Sequence, residues 1–482
     1  MHELENKQVL VIGLGSRGRA ACELLRHSGA NVLAVDEADT MDLRADAGRL
    51  RSLGIEVELG VTSPPDRQFN LAVVSSSGPA HLPLLNEVRQ RHVPVIGECE
   101  LGYQHSQCLS IAVAGTNGKG TTAEMIKQVL TDDLRKTAMG GDGARPVCSL
   151  VPQSKELDYM VLQLNSFQLE MTSTFRPSVA VLMNLAPDHL DCYGSQEEYT
   201  RSTARLFENQ QPFDWAIIQS EALAQLRALA VPIPGKVITF SATDRNADIH
   251  LDRGLLISRL PDWAGPLLDM AQCQVQGAHN AENLMAALLV GHVLHVPLEG
   301  MKEILKVQQP LPHCFEPVAE AGGVRFINDS KATNVDALHK ALMSVPAHQQ
   351  EEPNIWLIAG GKCKGLDYHD VGPMISQRVK RAFLIGEAGT KIHSAWALFT
   401  PCTVVGTLLE AITTAAKNAV SGDVILLSPA CSSFDQFRNY QHRGEVFRDA
   451  AHALAATIGG GNGEGHHHKQ EATEIRWNGS GN

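Results

Sequence analysis

An apolar stretch, Ile111-Ala112-Val113-Ala114, runs directly into Gly115-Thr116-Asn117-Gly118-Lys119-Gly120-Thr121. This juncture constrains the chain more than any other segment. Three glycines cost conformational entropy on folding, and a lysine at the end of a buried strand adds nothing to a core, so packing alone does not account for the sequence. A phosphate cradle does. Backbone N–H groups at a helix start meet phosphate oxygens, and the lysine supplies counter-charge. The loop is one residue shorter than the Gly-x4-Gly-Lys-Ser/Thr pattern, and Gly120 stands where a hydroxyl often meets Mg²⁺. Thr121 is then the hydroxyl left for a metal shell. The residues expected at a triphosphate are Gly115, Thr116, Asn117, Gly118, Lys119, Gly120 and Thr121.

Strand, glycine-rich turn, helix and strand recur elsewhere, which predicts parallel sheets covered by helices. The first such unit reads Val9–Ile12, Gly13-Leu14-Gly15-Ser16-Arg17-Gly18, a helix to about Arg26, then Asn31–Asp36. A turn of this kind brings amides close to a pyrophosphate, but it serves NAD, FAD or a UDP-sugar equally, and a plain tight turn as well. At 482 residues the chain needs several cores. The expected fold is α/β in three domains. A Rossmann-like N-terminal domain spans 1–104, a central P-loop ATPase domain with a mostly parallel sheet spans 105–309, and a Rossmann-like C-terminal domain spans 310–458. The Gly-rich polar stretch 459–482 reads as a disordered tail.

Composition narrows the partners. With 41 Lys+Arg against 53 Asp+Glu the net charge is −12, which excludes the broad positive field that nucleic acid or an anionic membrane requires. Ten scattered cysteines without a C-x-x-C pair suggest neither zinc nor a disulfide framework, and read as reduced. The start, Met1 to Lys7, enters a strand without a charged-then-apolar leader, and no apolar run approaches the ~20 residues of a spanning helix. The expectation is a cytoplasmic monomer with no membrane insertion.

The phosphate loop, with its Gly-Thr-Asn-Gly-Lys core, resembles that of the Mur ligase family, which includes folylpolyglutamate synthetase. Further segments follow in the same order: Leu164-Asn165-Ser166-Phe167-Gln168-Leu169-Glu170, Asp188-His189-Leu190-Asp191, His279-Asn280-x-x-Asn283, Asn328 to Asn334, and Leu427 to Phe437. The last two look like those of the member that adds D-glutamate to UDP-N-acetylmuramoyl-L-alanine in peptidoglycan precursor synthesis. The resemblance implies an ATP- and Mg²⁺-dependent ligase working through an acyl phosphate, with those two substrates as its partners. By position, it gives Lys119, His189 and Lys331 catalytic roles. Asn280, Asn283, Asp329 and Lys331 join the loop at ATP. Thr121, Gln163 and His189 fall at metal, and Gly15, Ser16 and Ser76 at the UDP-sugar. Thr333, Lys364, Ser433, Phe434 and Tyr440 fall at D-glutamate.

The departures from the family pattern are as specific as the matches. Gln163 stands for a metal-binding glutamate, Thr203 for a carbamoylated lysine, Cys314 for an arginine near the phosphates, and Asp142 for an asparagine. Ser76-Ser77-Gly78 stands for Ser-Pro-Gly. They imply a second possibility, a relative with weakened catalysis that retains ligand binding. An NAD-dependent oxidoreductase would use the first glycine turn but leave Lys119, Lys331 and Ser433 idle.

Overall fold

The computed structural model describes residues 4–75, 83–346 and 352–459, and it builds three α/β units on three separate sheets. Ser76, with Ser77 and Gly78, lies outside the described residues, as does the tail from 460 onward.

The first sheet holds β1 (Gln8–Ile12), β2 (Asn31–Asp36), β3 (Glu56–Leu59), β4 (Leu71–Val74) and β5 (Val95–Gly97), in the order β3-β2-β1-β4-β5. All its pairs are parallel. Strand order reverses at β1, so the glycine turn opens at the point where such sheets leave a crevice. A Cβ on Gly18 would lie 1.8 Å from the Gly13 carbonyl oxygen, so only glycine lets the helix Ser16–His27 sit this close. Asp36 accepts hydrogen bonds from Leu14 N at 2.7 Å and Ala38 N at 2.9 Å, which turns its carboxylate inward to close the turn.

The second sheet has nine strands: β6 (Leu109–Ala114), β7 (Thr137–Gly141), β8 (Tyr159–Gln163), β9 (Val179–Leu182), β10 (Trp215–Gln219), β11 (Lys236–Ser241), β12 (Ile249–Asp252), β13 (Leu255–Ser258) and β14 (Gly265–Asp269). Their order is β14-β13-β12-β11-β10-β9-β6-β8-β7, parallel except at β12/β13 and β13/β14. Apolar clusters cover both faces, which is why β6 and β9 read as near-continuous apolar runs. The phosphate loop leaves β6 between β8 and β9, again where the order reverses.

The third sheet holds β15 (Glu316–Ala321), β16 (Val324–Asn328), β17 (Ile355–Gly360), β18 (Val379–Ile385), β19 (Cys402–Val404) and β20 (Val424–Leu427), in the order β15-β16-β20-β17-β18-β19. Only β15/β16 is antiparallel. Because β20 inserts between β16 and β17, the loops after these three strands emerge side by side.

Candidate active site

The phosphate loop is held open by its own geometry. Gly115 and Gly118 have φ of +127° and +86°, and a Cβ on Gly118 would fall 2.5 Å from Asn283 Oδ1. Asn117 N donates to Asn184 Oδ1 at 2.8 Å while Asn184 Nδ2 donates back to Asn117 O at 3.0 Å. Tyr199 Oη meets the Thr116 hydroxyl at 2.9 Å. Lys119 Nζ donates to the carbonyls of Gly115 and Thr116 at 2.8 and 2.9 Å. The helix Lys119–Asp132 follows directly, with its N-terminus aimed at the loop.

The third unit closes over this loop through one polar chain. Asn117 Nδ2 donates to Asn334 Oδ1 at 3.1 Å and to Asp336 Oδ2 at 2.7 Å. Asn334 Nδ2 donates to Asp188 Oδ2 at 3.1 Å, and Lys364 Nζ reaches Asp188 Oδ1 at 3.0 Å and Thr333 Oγ1 at 3.4 Å. The cleft between the two units has a volume of about 380 Å³.

Most residues singled out from the sequence line this one cleft. From the second unit come Thr116 to Thr121, Gln163, His189, Asn280 and Asn283; from the third come Asp329, Lys331, Thr333, Lys364, Ser433, Phe434 and Tyr440. Gly115 is buried beneath the loop. Gly15 and Ser16 stand apart, exposed at the turn of the first unit, although the next residue, Arg17, pairs with Asp142 of the cleft at 2.9 Å. Phe434 is 68% exposed, so it sits at the rim rather than inside.

The charges are tuned by burial. Burial lowers the Lys119 ammonium from its ordinary value, partly opposed by Asp142 and Asp188. Lys331 is held higher than usual, first by its closeness to the Cys314 sulfur. Burial pushes the Asp329 carboxyl up to about 7 even though it accepts from Phe315 N and Ser428 Oγ, both at 3.0 Å. Burial would raise Asp188 too, but the Lys364 ammonium and His189 carry it below the usual carboxylate range. Desolvation lowers the His189 imidazole from its ordinary value, opposed by Asp188.

The cleft suits ATP: its glycines leave room that a Cβ would fill, and lysines surround it. Its donors also suit a hard cation, being the Thr121 hydroxyl, the Gln163 carbonyl and the Asp142 carboxylate. Among the described residues no group of three His, Cys, Asp or Glu converges, so a cation would complete its shell with phosphate oxygens and water. Thr203 is no part of this set. It is 1% exposed, packed in the core, and its hydroxyl donates to Tyr199 O at 2.9 Å.

Three contributors were not singled out from sequence. Asn184 and Asn334 act through tertiary partners, which no local pattern reveals. Arg443 is fully buried at the start of the helix Tyr440–Gly459, donating to Ser330 O at 2.8 Å and Cys431 O at 3.1 Å. It staples the loops that carry Lys331 and Ser433, and burial brings its guanidinium down to about 10.

The profile of the Mur ligase middle domain matches residues 113–291, and that of the Mur ligase glutamate ligase domain matches 313–431. A protein of Acidobacterium capsulatum is 39% identical over 462 residues, covering 94% of this chain and 98% of its own. The chain belongs to the Mur ligase family. The Acidobacterium relative is named UDP-N-acetylmuramoylalanine–D-glutamate ligase, as is one from Koribacter versatilis, 35% identical over 94% of this chain and 99% of its own. Among solved Mur ligase structures, MurF from Acinetobacter baumannii aligns with a TM-score of 0.61 at 17% identity, over 92% of this chain and 93% of its own. MurF from Thermotoga maritima, solved in complex with ADP, aligns at 0.58 and 15% identity, over 94% and 96%. At such identities the likeness is one of Mur ligase fold.

Proposed function

We propose that this Mur ligase joins D-glutamate to UDP-N-acetylmuramoyl-L-alanine at the expense of ATP. The observation that carries the reading is the convergence of Lys119, Lys331 and Lys364, from two units, on one cleft. The names of the full-length relatives and the ADP bound to the Thermotoga neighbour support it.

In this reading Lys119 and the loop amides hold the terminal phosphates. The γ-phosphoryl group moves to the L-alanine carboxylate, and ADP is the leaving group. The amine of D-glutamate then attacks the acyl carbon, phosphate departs, and the amine loses a proton. Charge builds on phosphoryl oxygens throughout, where a buried ammonium such as Lys331 stabilises most. Thr121 and Gln163, with His189 in the same cleft, would hold Mg²⁺, which would neutralise phosphate charge there. Asn280 and Asn283 flank the nucleoside end, and Asp329 helps set the field around Lys331. Lys364, Thr333 and Ser433 offer an ammonium and two hydroxyls to a dicarboxylic amino acid, with Tyr440 and Phe434 beside them. Gly15 and Ser16, at an exposed helix start, face the UDP-sugar diphosphate. UDP-sugar and ATP as substrates, with all ten cysteines free, support a cytoplasmic setting, and no described helix is long and apolar enough to cross a membrane.

Phosphate release with ATP, Mg²⁺, UDP-N-acetylmuramoyl-L-alanine and D-glutamate, each omitted in turn, tests the reading. Release that requires every component is the expected result. Gln163, Thr203 and Cys314 favour a second reading, a slow relative that chiefly binds; calorimetric binding of the UDP-sugar without release would select it.

A further inference from the structure

Four carboxylates line the cleft: Asp142, Asp188, Glu282 and Asp329. Asp188 serves Lys364 and Asn334, and Asp329 is capped by Phe315 N and Ser428 Oγ, so both have each oxygen bonded within the protein. Glu282, on the helix Ala278–Val293, accepts through Oε1 from the Gln219 amide at 2.8 Å. Asp142 is the one that follows β7, beside Gln163 of β8. Its Oδ1 takes Arg17 Nη2 at 2.9 Å, and its Oδ2 accepts no hydrogen bond from a described residue.

Asp142 and Gln163 are neighbours across two strands. Gly141 pairs with Gln163 in the parallel register of β7 and β8, and Asp142 N donates to Gln163 O at 2.7 Å. Gln163 turns its Oε1 to the phosphate loop, 2.9 Å from where a Cβ on Gly120 would stand, with Lys331 Nζ 2.8 Å from the same point. An amide and a hydroxyl supply oxygens but no charge. A divalent cation beside the ammoniums of Lys119 and Lys331 needs a negative ligand to stay, since like charges at this range repel strongly.

We propose that Asp142 is the carboxylate that meets the divalent cation accompanying the nucleotide, beside the Gln163 carbonyl oxygen, while Arg17 holds its other oxygen in place. The proposal rests on the ATP reading above. It gives Arg17 a second consequence: the residue lies two beyond Gly15, so the aim of the cation ligand is set from the turn of the first unit.

Calorimetric binding of adenosine 5′-(β,γ-imido)triphosphate to the full chain, in Mg²⁺ and in EDTA, tests this without turnover. Mg²⁺ should tighten binding to the unsubstituted protein by about tenfold or more, and in Asp142→Asn this gain should shrink to about twofold. Asp142→Asn combined with Gln163→Glu should recover it, because the charge returns one strand away, and Arg17→Met, which frees the carboxylate without removing it, should lose only part of it. A full gain in Asp142→Asn overturns the proposal. Equal losses in Asp142→Asn and Arg17→Met, unrestored by Gln163→Glu, overturn it too, since Asp142 would then serve only as a bridge between units. Binding that is equal in Mg²⁺ and EDTA overturns it and leaves the ATP reading standing. No binding in either overturns both.

Discussion

Lys364, on the loop after β17, donates to Asp188, on the loop after β9, at 3.0 Å, and both side chains are nearly buried. This pair ties the third unit to the second above the phosphate loop, next to Thr333 and Asn334. Removing one member leaves a buried charge without its partner, a change worth about 3–5 kcal/mol. Lys364→Met should therefore lower thermal stability markedly, and Lys364→Met with Asp188→Asn should regain part of it. Melting curves of both variants check this; equal melting temperatures would show that the pair is solvated in solution.

Gly118 and Gly120 make a matched comparison. Gly118→Ala places a side chain at φ +86° and within 2.5 Å of Asn283 Oδ1, so it should cost about 1–3 kcal/mol of stability. Gly120→Ala has no such backbone penalty; its Cβ meets only the ends of Lys331 and Gln163, which can yield. The expected result is near-normal melting with weakened nucleotide binding, read by calorimetry.

Asp329 makes stability depend on pH. Burial raises its carboxyl from 3.8 unfolded to about 7 folded, so the native state binds the extra proton between those values. Stability from this group is complete below pH about 4 and falls as pH rises toward 7. Asp329→Asn should thus gain stability relative to the parent as pH climbs through that window. A difference in melting temperature that stays flat from pH 4 to 8 would refute it.

Thr203→Lys, which would put a lysine at the family's carbamoylated position, should fail. The site is 1% exposed and packed beneath Tyr199, so an ammonium there is desolvated without a partner. Insoluble or strongly destabilised protein is expected in expression and melting trials, whereas a stable, active variant would show that this part of the core opens readily.

How much of this was legible beforehand depends on range. The phosphate loop could be read because its glycines, lysine and flanking strand are contiguous, and each answers to a local backbone need. β7, Thr-Ala-Met-Gly-Gly, and the hairpin strands β12 to β14 escaped notice, since short or half-polar strands are defined by their neighbours rather than by an apolar run. Lys331, Thr333, Lys364 and Ser433 were found only through resemblance; nothing local distinguishes them from surface residues.

The sequence by itself determined the α/β class, the three-unit order and the phosphate loop, because apolar periodicity and glycine placement act over a few residues. Tertiary structure alone decided that Asp188 belongs to Lys364, that Asp142 faces both Arg17 and the cleft, and that Arg443 binds two loops from beneath. Those pairings join residues far apart in the chain: Asp188–Lys364 and the Arg443 contacts depend on β20 slotting between β16 and β17, and Arg17–Asp142 on the helix after β1 meeting the loop after β7. Long-range strand order sets which loops become neighbours, and a buried charge can choose its partner only after that order exists.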